Sequence, residues 1–255
     1  MAEANTNSKI GILAKAQKQL SRTKTKVLQN LGKAEKTTDD VFKDYVVKTE
    51  RQQEVAQHLQ KELKTYAHCV KDLSFACKNL QQAFAETYES EWTGEPKFKS
   101  QIQAFELLWN DYLQNLQDNV INPMNAYLLS FPVLKNKISK RGRKMVDYDN
   151  SRHNLEVLQS AKKRDETKIQ KAQDELKDVK RIFDELNNEL HNELPDFYNS
   201  RVTFYAELYS KFFGAENTLH SEVGKTCESI TDIAQSLGKD FEHFKYQPKR
   251  PISVT

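Results

Sequence analysis

LQKELKTYAHCVKDLSFACKNLQQAF, residues 59–84, is the stretch on which the fold turns. Its apolar positions are Leu59, Leu63, Tyr66, Val70, Leu73, Cys77, Leu80 and Phe84, separated by alternating steps of four and three. That alternation holds one stripe of side chains on one side of a helix, whereas a strand would need steps of two. A stripe with heptad spacing faces a partner helix along its whole length. It continues backward, more weakly, through Ala56, Gln52, Thr49, Tyr45 and Phe42. No Gly or Pro falls between Lys33 and Thr93. Residues 38–88 are therefore predicted as one helix, roughly 75 Å long at a rise of about 1.5 Å per residue.

Working outward, SEWTGEP (90–96) supplies a turn through Gly94 and Pro96, with Trp92 expected to fold back on the bundle. Ile102, Phe105, Trp109, Tyr112, Leu116, Val120, Tyr127, Phe131, Leu134 and Ile138 then predict a helix over 97–160. Pro123 and Pro132 lie within it and predict kinks, because proline lacks the donor and crowds the preceding turn. KKRDE (162–166) marks the next turn. The third helix, 166–244, carries Ala172, Leu176, Val179, Phe183, Leu186 and Leu190, then, past Pro195, Tyr198, Val202, Tyr205, Tyr209, Phe212, Leu219 and Val223. The fold class is all-α: three long kinked helices in an elongated coiled-coil bundle. Three helices with this much apolar stripe predict a dimer that buries the surplus. Leu63→Glu or Phe183→Glu is expected to destroy such a scaffold. QPKRPISVT, residues 247–255, reads as a disordered tail or the start of a linker.

Composition agrees with long helices: only 7 Gly and 6 Pro stand among 255 residues. Cys69, Cys77 and Cys227 form no CxxC pair and read as reduced thiols in a cytosolic protein, with no zinc site. No apolar run approaches the ~20 residues of a membrane span. The N-terminus lacks a secretory core, and Met-Ala-Glu excludes myristoylation. The chain contains no GxxxxGK[ST], GxSxG or HExxH. The residues three before its histidines are Val55, Thr65, Asn150, Asn188, Asn217 and Asp240, so no Glu-x-x-His pair exists for a di-iron bundle. No enzyme, cofactor or metal is expected.

Charge is concentrated. Residues 1–36 hold eight Lys/Arg against Glu3 and Glu35, a net of +6. Residues 133–171 hold twelve against five acids, a net of +7. With a total of +3, the remainder carries about −10. Two basic zones on an acidic body imply an anionic partner met at defined places.

In KIGILAKAQKQLSRTKTKVLQNLGK (9–33), Ile10, Leu13, Ala16, Leu20, Val27, Leu28 and Leu31 fall within about 120° of one another on a helix. Lys15, Lys18, Arg22, Lys26 and Lys33 fall within about 80° opposite them. This pattern fits a helix lying in a membrane interface, basic side up. It also fits a helix packing its aliphatic side on the bundle, or one binding nucleic acid or a protein partner. A lone helix of this length is marginal in water.

In LKNKISKRGRK (134–144), Lys137, Lys140, Arg141 and Lys144 share one face by their spacing. Lys162, Lys163 and Arg164 crowd the turn between helices two and three, with Lys168 and Lys171 near the same end. Few acids interleave, which favours an anion-binding surface over a solvated face. The zone lacks the aromatic interleaving of single-strand binders and any nucleic-acid motif, so no nucleic acid is expected.

KRGRKMVDYDNSRHNLEVLQSAKKRDETK (140–168), VLQNLGKAEKTTDDVF (27–42), LLWNDY (107–112) and ELPDFYNSRVTFY (193–205) resemble the N-BAR domain of the amphiphysin and bridging-integrator family. The resemblance implies an N-terminal membrane-inserting helix at 1–33, a BAR domain at 34–246 and a crescent-shaped antiparallel homodimer. It implies that Lys137, Lys140, Arg141, Arg143, Lys144, Lys162, Lys163 and Arg164 bind anionic lipid, and that the polar side of the N-terminal helix, Lys15, Lys18, Arg22 and Lys26, does so too. Under it, residues 9–33 are a membrane wedge. The implied function is sensing or generating curvature in anionic phospholipid membranes, including tubulation, in endocytosis or the organisation of membrane tubules. The implied place is cytoplasmic, peripheral on plasma, endocytic or tubular membranes, with heterodimers among paralogues as a further option. The SH3 domain and Pro-rich linker of the family are not in these 255 residues, as expected of an excised domain or a short isoform. The alternative is a coiled-coil adaptor whose basic zones meet acidic proteins such as actin.

Overall fold

The computed structural model describes residues 2–32 and 35–242, with side chains from residue 16 onward. Every regular element among them is helical: α1 (Ala2–Asn30), α2 (Asp40–Thr87), α3 (Glu95–Leu116), a π-helical turn (Gln117–Ile121), α4 (Asn122–Ser160) and α5 (Glu166–Asp240). The 247–255 tail lies outside the described residues. The all-α expectation holds, with one difference. The helix expected over 97–160 is broken by the π turn, which sits immediately before Pro123. Proline cannot donate to the carbonyl four residues back, and a π turn accommodates such a defect without ending the helix. Leu116, Val120, Ile121 and Met124 are all buried around it. Pro132 and Pro195, by contrast, stand inside continuous α4 and α5.

The chain divides into two compact units, Met1–Val55 with Tyr127–Val202, and Ala56–Ala126 with Thr203–Thr255. In the first, Phe42 of α2, Leu134 of α4 and Leu190 and Leu194 of α5 form the core, flanked by Tyr45, Val46, Ile138 and Phe197. Phe131 meets Phe197 edge-on with ring centroids 5.0 Å apart. The weak, polar continuation of the α2 seam is well buried here: Thr49 and Gln52 are both inside. The Gln52 amide donates to the Tyr127 hydroxyl of α4, while its own Oε1 is buried without a partner.

In the second unit, Tyr88, Phe98 and Ile233 make a core with Trp92, Ile102, Ile230 and Leu237. Trp92 does fold back, meeting Tyr88 edge-on with ring centroids 5.4 Å apart. Gly94 takes φ 83°, which the turn reserves for glycine, and a Cβ there would lie 3.1 Å from Ile233 Cγ2, a tight approach to the core. Farther along, the Tyr66 and Tyr112 hydroxyls both donate to the Glu216 carboxylate. Burial is the largest cause pushing the Tyr112 hydroxyl's pKa up, and the adjacent carboxylate adds to it.

The seam that decided the fold behaves differently in this unit. Val70 is buried, but Leu73 is 52% exposed and Leu80 56% exposed, with Tyr66 and Phe84 also at the surface. On α5, Leu208, Ala215, Leu219, Thr226 and Ile233 face inward, while Tyr209 and Phe213 face out. The protomer's own helices therefore use one stripe of α5 and leave a second apolar stripe on α2 and α5 in solvent.

Candidate functional site

The α4–α5 turn presents its charges fully. Lys162, Lys163 and Arg164 are exposed in the non-helical residues 161–165. Arg164 Nε donates to the Gln159 carbonyl at 3.0 Å, which points its guanidinium back along α4 without neutralising it. Asp165 is spent on starting α5: its Oδ1 accepts from Lys168 N at 3.2 Å, and this backbone bond is the largest cause of its lowered pKa. Its Oδ2 pairs with Lys168 Nζ at 3.2 Å.

Along α4 the expected common face does not exist. Lys137 Nζ donates to Glu189 at 2.9 Å and to Glu193 at 2.8 Å, bonds that raise its pKa. Arg141 is 4% exposed and cannot reach a lipid. Its guanidinium lies 3.6 Å from the centroid of the Phe42 ring and pairs with Asp39 at 2.5 Å. Desolvation is the main cause of its lowered pKa. Arg141 is thus corrected from a lipid-binding to a structural residue, and Lys137, one turn before it, is engaged by the same side of α5. Lys140 and Arg143 are exposed, Lys144 half-buried, and none of the three joins an ion pair among the described residues.

Two acids inside the basic zone are buried and committed. Asp147 takes both Arg22 Nε at 2.7 Å and Arg22 Nη2 at 2.9 Å. Hydrogen bonding to Asp147 is the main cause of the raised Arg22 pKa. Asp149 accepts from Gln29 Nε2 at 2.7 Å, Thr37 Oγ1 at 2.5 Å and Thr37 N at 3.2 Å. The docking role of Asp147 and Asp149 is not apparent from the basic stretch 140–168 in which they stand. The detectable signal was the step of two between acids in an otherwise basic helix, which cannot both face one solvated side.

These contacts dock α1 by its polar stripe. Ser21, Arg22, Thr25 and Gln29 recur at helical spacing. Thr25 Oγ1 donates to Asn150 Oδ1 and Asn150 Nδ2 to Ser21 Oγ, both at 2.9 Å. Leu20, Val27 and Leu31 face solvent at 71%, 51% and 63% exposure, Ala16, Lys18 and Lys26 are exposed, and Leu28 is half-buried. The side chains of Ile10, Leu13 and Lys15 lie outside the described residues. Among those described, the aliphatic side of α1 is not what packs on the bundle. Arg22 is likewise no free cation.

This chain, whose regular elements are helical among the described residues, with an exposed basic α4–α5 turn and an unburied second stripe, matches the BAR domain family over residues 16–236. The chain belongs to the BAR domain family. It is 39% identical to amphiphysin of Mus musculus over 231 residues, which cover 90% of this chain and 34% of that protein. It therefore spans about a third of the length of the amphiphysins it matches. Bridging integrator 3 of Rattus norvegicus is 25% identical over 143 residues, 55% of this chain and 56% of that protein. The solved amphiphysin BAR domain from Drosophila superposes with a TM-score of 0.76 at 36% identity, covering 82% of this chain and 97% of that one. BAR domains bind membranes, sense and generate membrane curvature, form homodimers and catalyse no reaction. The match begins at residue 16, so the BAR domain takes in the half of α1 that docks on α4. No helix among the described residues of this BAR domain is long and apolar enough to cross a membrane.

Proposed function

We propose that this BAR domain binds anionic phospholipid membranes as a homodimer and drives them into tubules, in endocytosis or in organising tubular membranes, as a peripheral cytoplasmic protein. The observation that carries the reading is the division of labour on α1 and α4. Asp147 and Asp39 hold Arg22 and Arg141 against the protein, whereas Lys140, Arg143, Lys144, Lys162, Lys163 and Arg164 join no ion pair among the described residues. Each basic group near an anionic leaflet contributes on the order of 1 kcal/mol. Leu20, Val27 and Leu31, already turned to solvent, supply the inserting side. A second copy covers the exposed Tyr66–Leu73–Leu80 line of α2, which repeats every seventh residue. Curvature follows from differential affinity: a rigid dimer that binds the bent surface better shifts the membrane toward it.

The test is negative-stain imaging of large phosphatidylserine-rich vesicles incubated with the chain. Narrow tubules are expected. They should become scarce with Val27→Glu plus Leu31→Glu, which alters only exposed positions at and just past the end of α1. Coated but undeformed vesicles would reduce the reading to docking, and absence of binding would refute it.

A further inference from the structure

In the first unit, α4 holds an apolar pair in solvent. Leu129 is 72% exposed and Val133 59%, and Pro132 between them is exposed as well. Single apolar side chains at a surface are ordinary. This pair is set apart by what shares its side of the helix. α4 is continuous from Asn122 to Ser160. At about 100° per residue, Leu129, Val133, Asn136, Lys140 and Arg143 fall within about 80° of one another. All five are exposed. Phe131, Leu134 and Arg141 fall on the far side and are buried. One outward face thus begins apolar and ends basic, and Val133 precedes Lys140 by only about 10 Å of helix axis. No Asp or Glu occurs between Asp118 and Asp147. On α5, Glu189 and Glu193 are both taken up by Lys137.

The order of chemistry along this face selects its occupant. A protein surface covering it would have to present apolar side chains at one end and carboxylates at the other. An anionic leaflet presents both at every point, phosphates above and acyl chains beneath. The stems of Lys140 and Arg143 can lie along the same boundary with their charges at phosphate level. We propose that Leu129 and Val133 enter the acyl boundary of the leaflet whose phosphates Lys140 and Arg143 meet, which makes α4 a second inserting element besides α1. The proposal rests on the membrane reading above and adds to it a contact that salt does not screen. Phe131 and Leu134 anchor this part of α4 in the core, so the pair inserts from an element that is already ordered.

Depth-resolved fluorescence tests it. Nitrobenzoxadiazole is attached to Leu129→Cys in the full chain carrying Cys69→Ser, Cys77→Ser and Cys227→Ser. The reference is the same label at Lys135→Cys, an exposed α4 position about 120° round from Leu129. On phosphatidylserine vesicles the label at position 129 should shift to the blue and be quenched by a nitroxide high on the acyl chain, and the label at position 135 should stay in water. Leu129→Gln with Val133→Thr, which leaves the core untouched, should weaken vesicle partition at least about fivefold, as expected when part of two aliphatic side chains no longer leaves water. That factor should be the same at low and at raised salt. A vesicle-bound chain quenched equally at the two positions overturns the proposal, and so does a double variant that binds as the unaltered chain does or is weakened only at low salt. A blue shift at position 129 without vesicles, growing with protein concentration, would give the pair to a second copy and overturn it too. If the unaltered chain does not sediment with the vesicles at all, the membrane reading fails and this proposal with it.

Discussion

Asp39 shows how much one side chain can organise. Its Oδ1 accepts from Phe42 N at 3.0 Å and starts α2, while its Oδ2 meets Arg141 of α4 and His191 of α5. Burial alone would raise its pKa, but the Phe42 amide, His191 and Arg141 together pull it below the ordinary value. A carboxylate depressed by folding adds stability that is complete above its unfolded value, about 3.9, and is lost as pH falls through the folded one. The urea midpoint of the unaltered chain should therefore exceed that of Asp39→Asn at about pH 6, and the gap should shrink toward about pH 3. A gap that stays constant would mean the charge on Asp39 contributes nothing. Asp149 also ties distant segments together, through Gln29 and Thr37. Asp149→Asn would turn amide hydrogens toward Gln29 and Thr37, which already donate. A loss of about 1.5–3 kcal/mol is expected, as for other bonds to a charged group, read from chemical denaturation at neutral pH.

At the scale of the element, α1 is a helix whose docking side is polar. Asp147→Ala should leave Arg22 without its carboxylate and speed amide exchange across residues 21–29, with α4 and α5 unaffected. Unchanged exchange would show that Thr25 and Gln29 hold the helix alone. The amphipathic pattern of α1 was plain in the sequence, but which side met the bundle was not. Hydropathy favours packing the aliphatic side, and only the buried Asp147 and Asp149 and the half-buried Asn150, more than a hundred residues away, reverse that choice. For the same reason Arg141 could not be told from Lys140. Both stand in one basic run, and the difference is made by Phe42 and Asp39 arriving from α2. The turns, by contrast, were legible, since Gly94, Pro96 and Asp165 act locally. The π turn ahead of Pro123 was legible only as an unspecified defect.

At the scale of the whole molecule, the heptad stripe of α2 is covered along its first part and exposed at Leu73 and Leu80. Periodicity gives the side of a helix that is covered, and it does not distinguish a neighbour in the same chain from a second chain. Phe42 and Ala56 are covered from within, and Leu73 and Leu80 are not. Leu80→Glu with Phe84→Glu should thus spare the protomer's helices and convert a dimer to monomers in sedimentation velocity. Retention of the dimer would place the second copy elsewhere. Binding to anionic vesicles should weaken steeply as ionic strength rises, because the cations of the α4–α5 turn are fully exposed and the screening length falls to about 8 Å at physiological salt. Salt-insensitive binding would point to α1 insertion as the main term.

The buried amide of Gln52 has one more implication. Helices built on a seven-residue repeat look alike to each other after every two turns, so sliding by one repeat still sets grease against grease. Thr49 and Gln52 break that sameness on α2, and Tyr127 reads it from α4. They act as index marks on an otherwise uniform ruler. Filling both positions with leucine would make the helices cling more tightly while leaving them several nearly equivalent ways to line up, and a scaffold that must hold one shape has more use for the marks than for the grip.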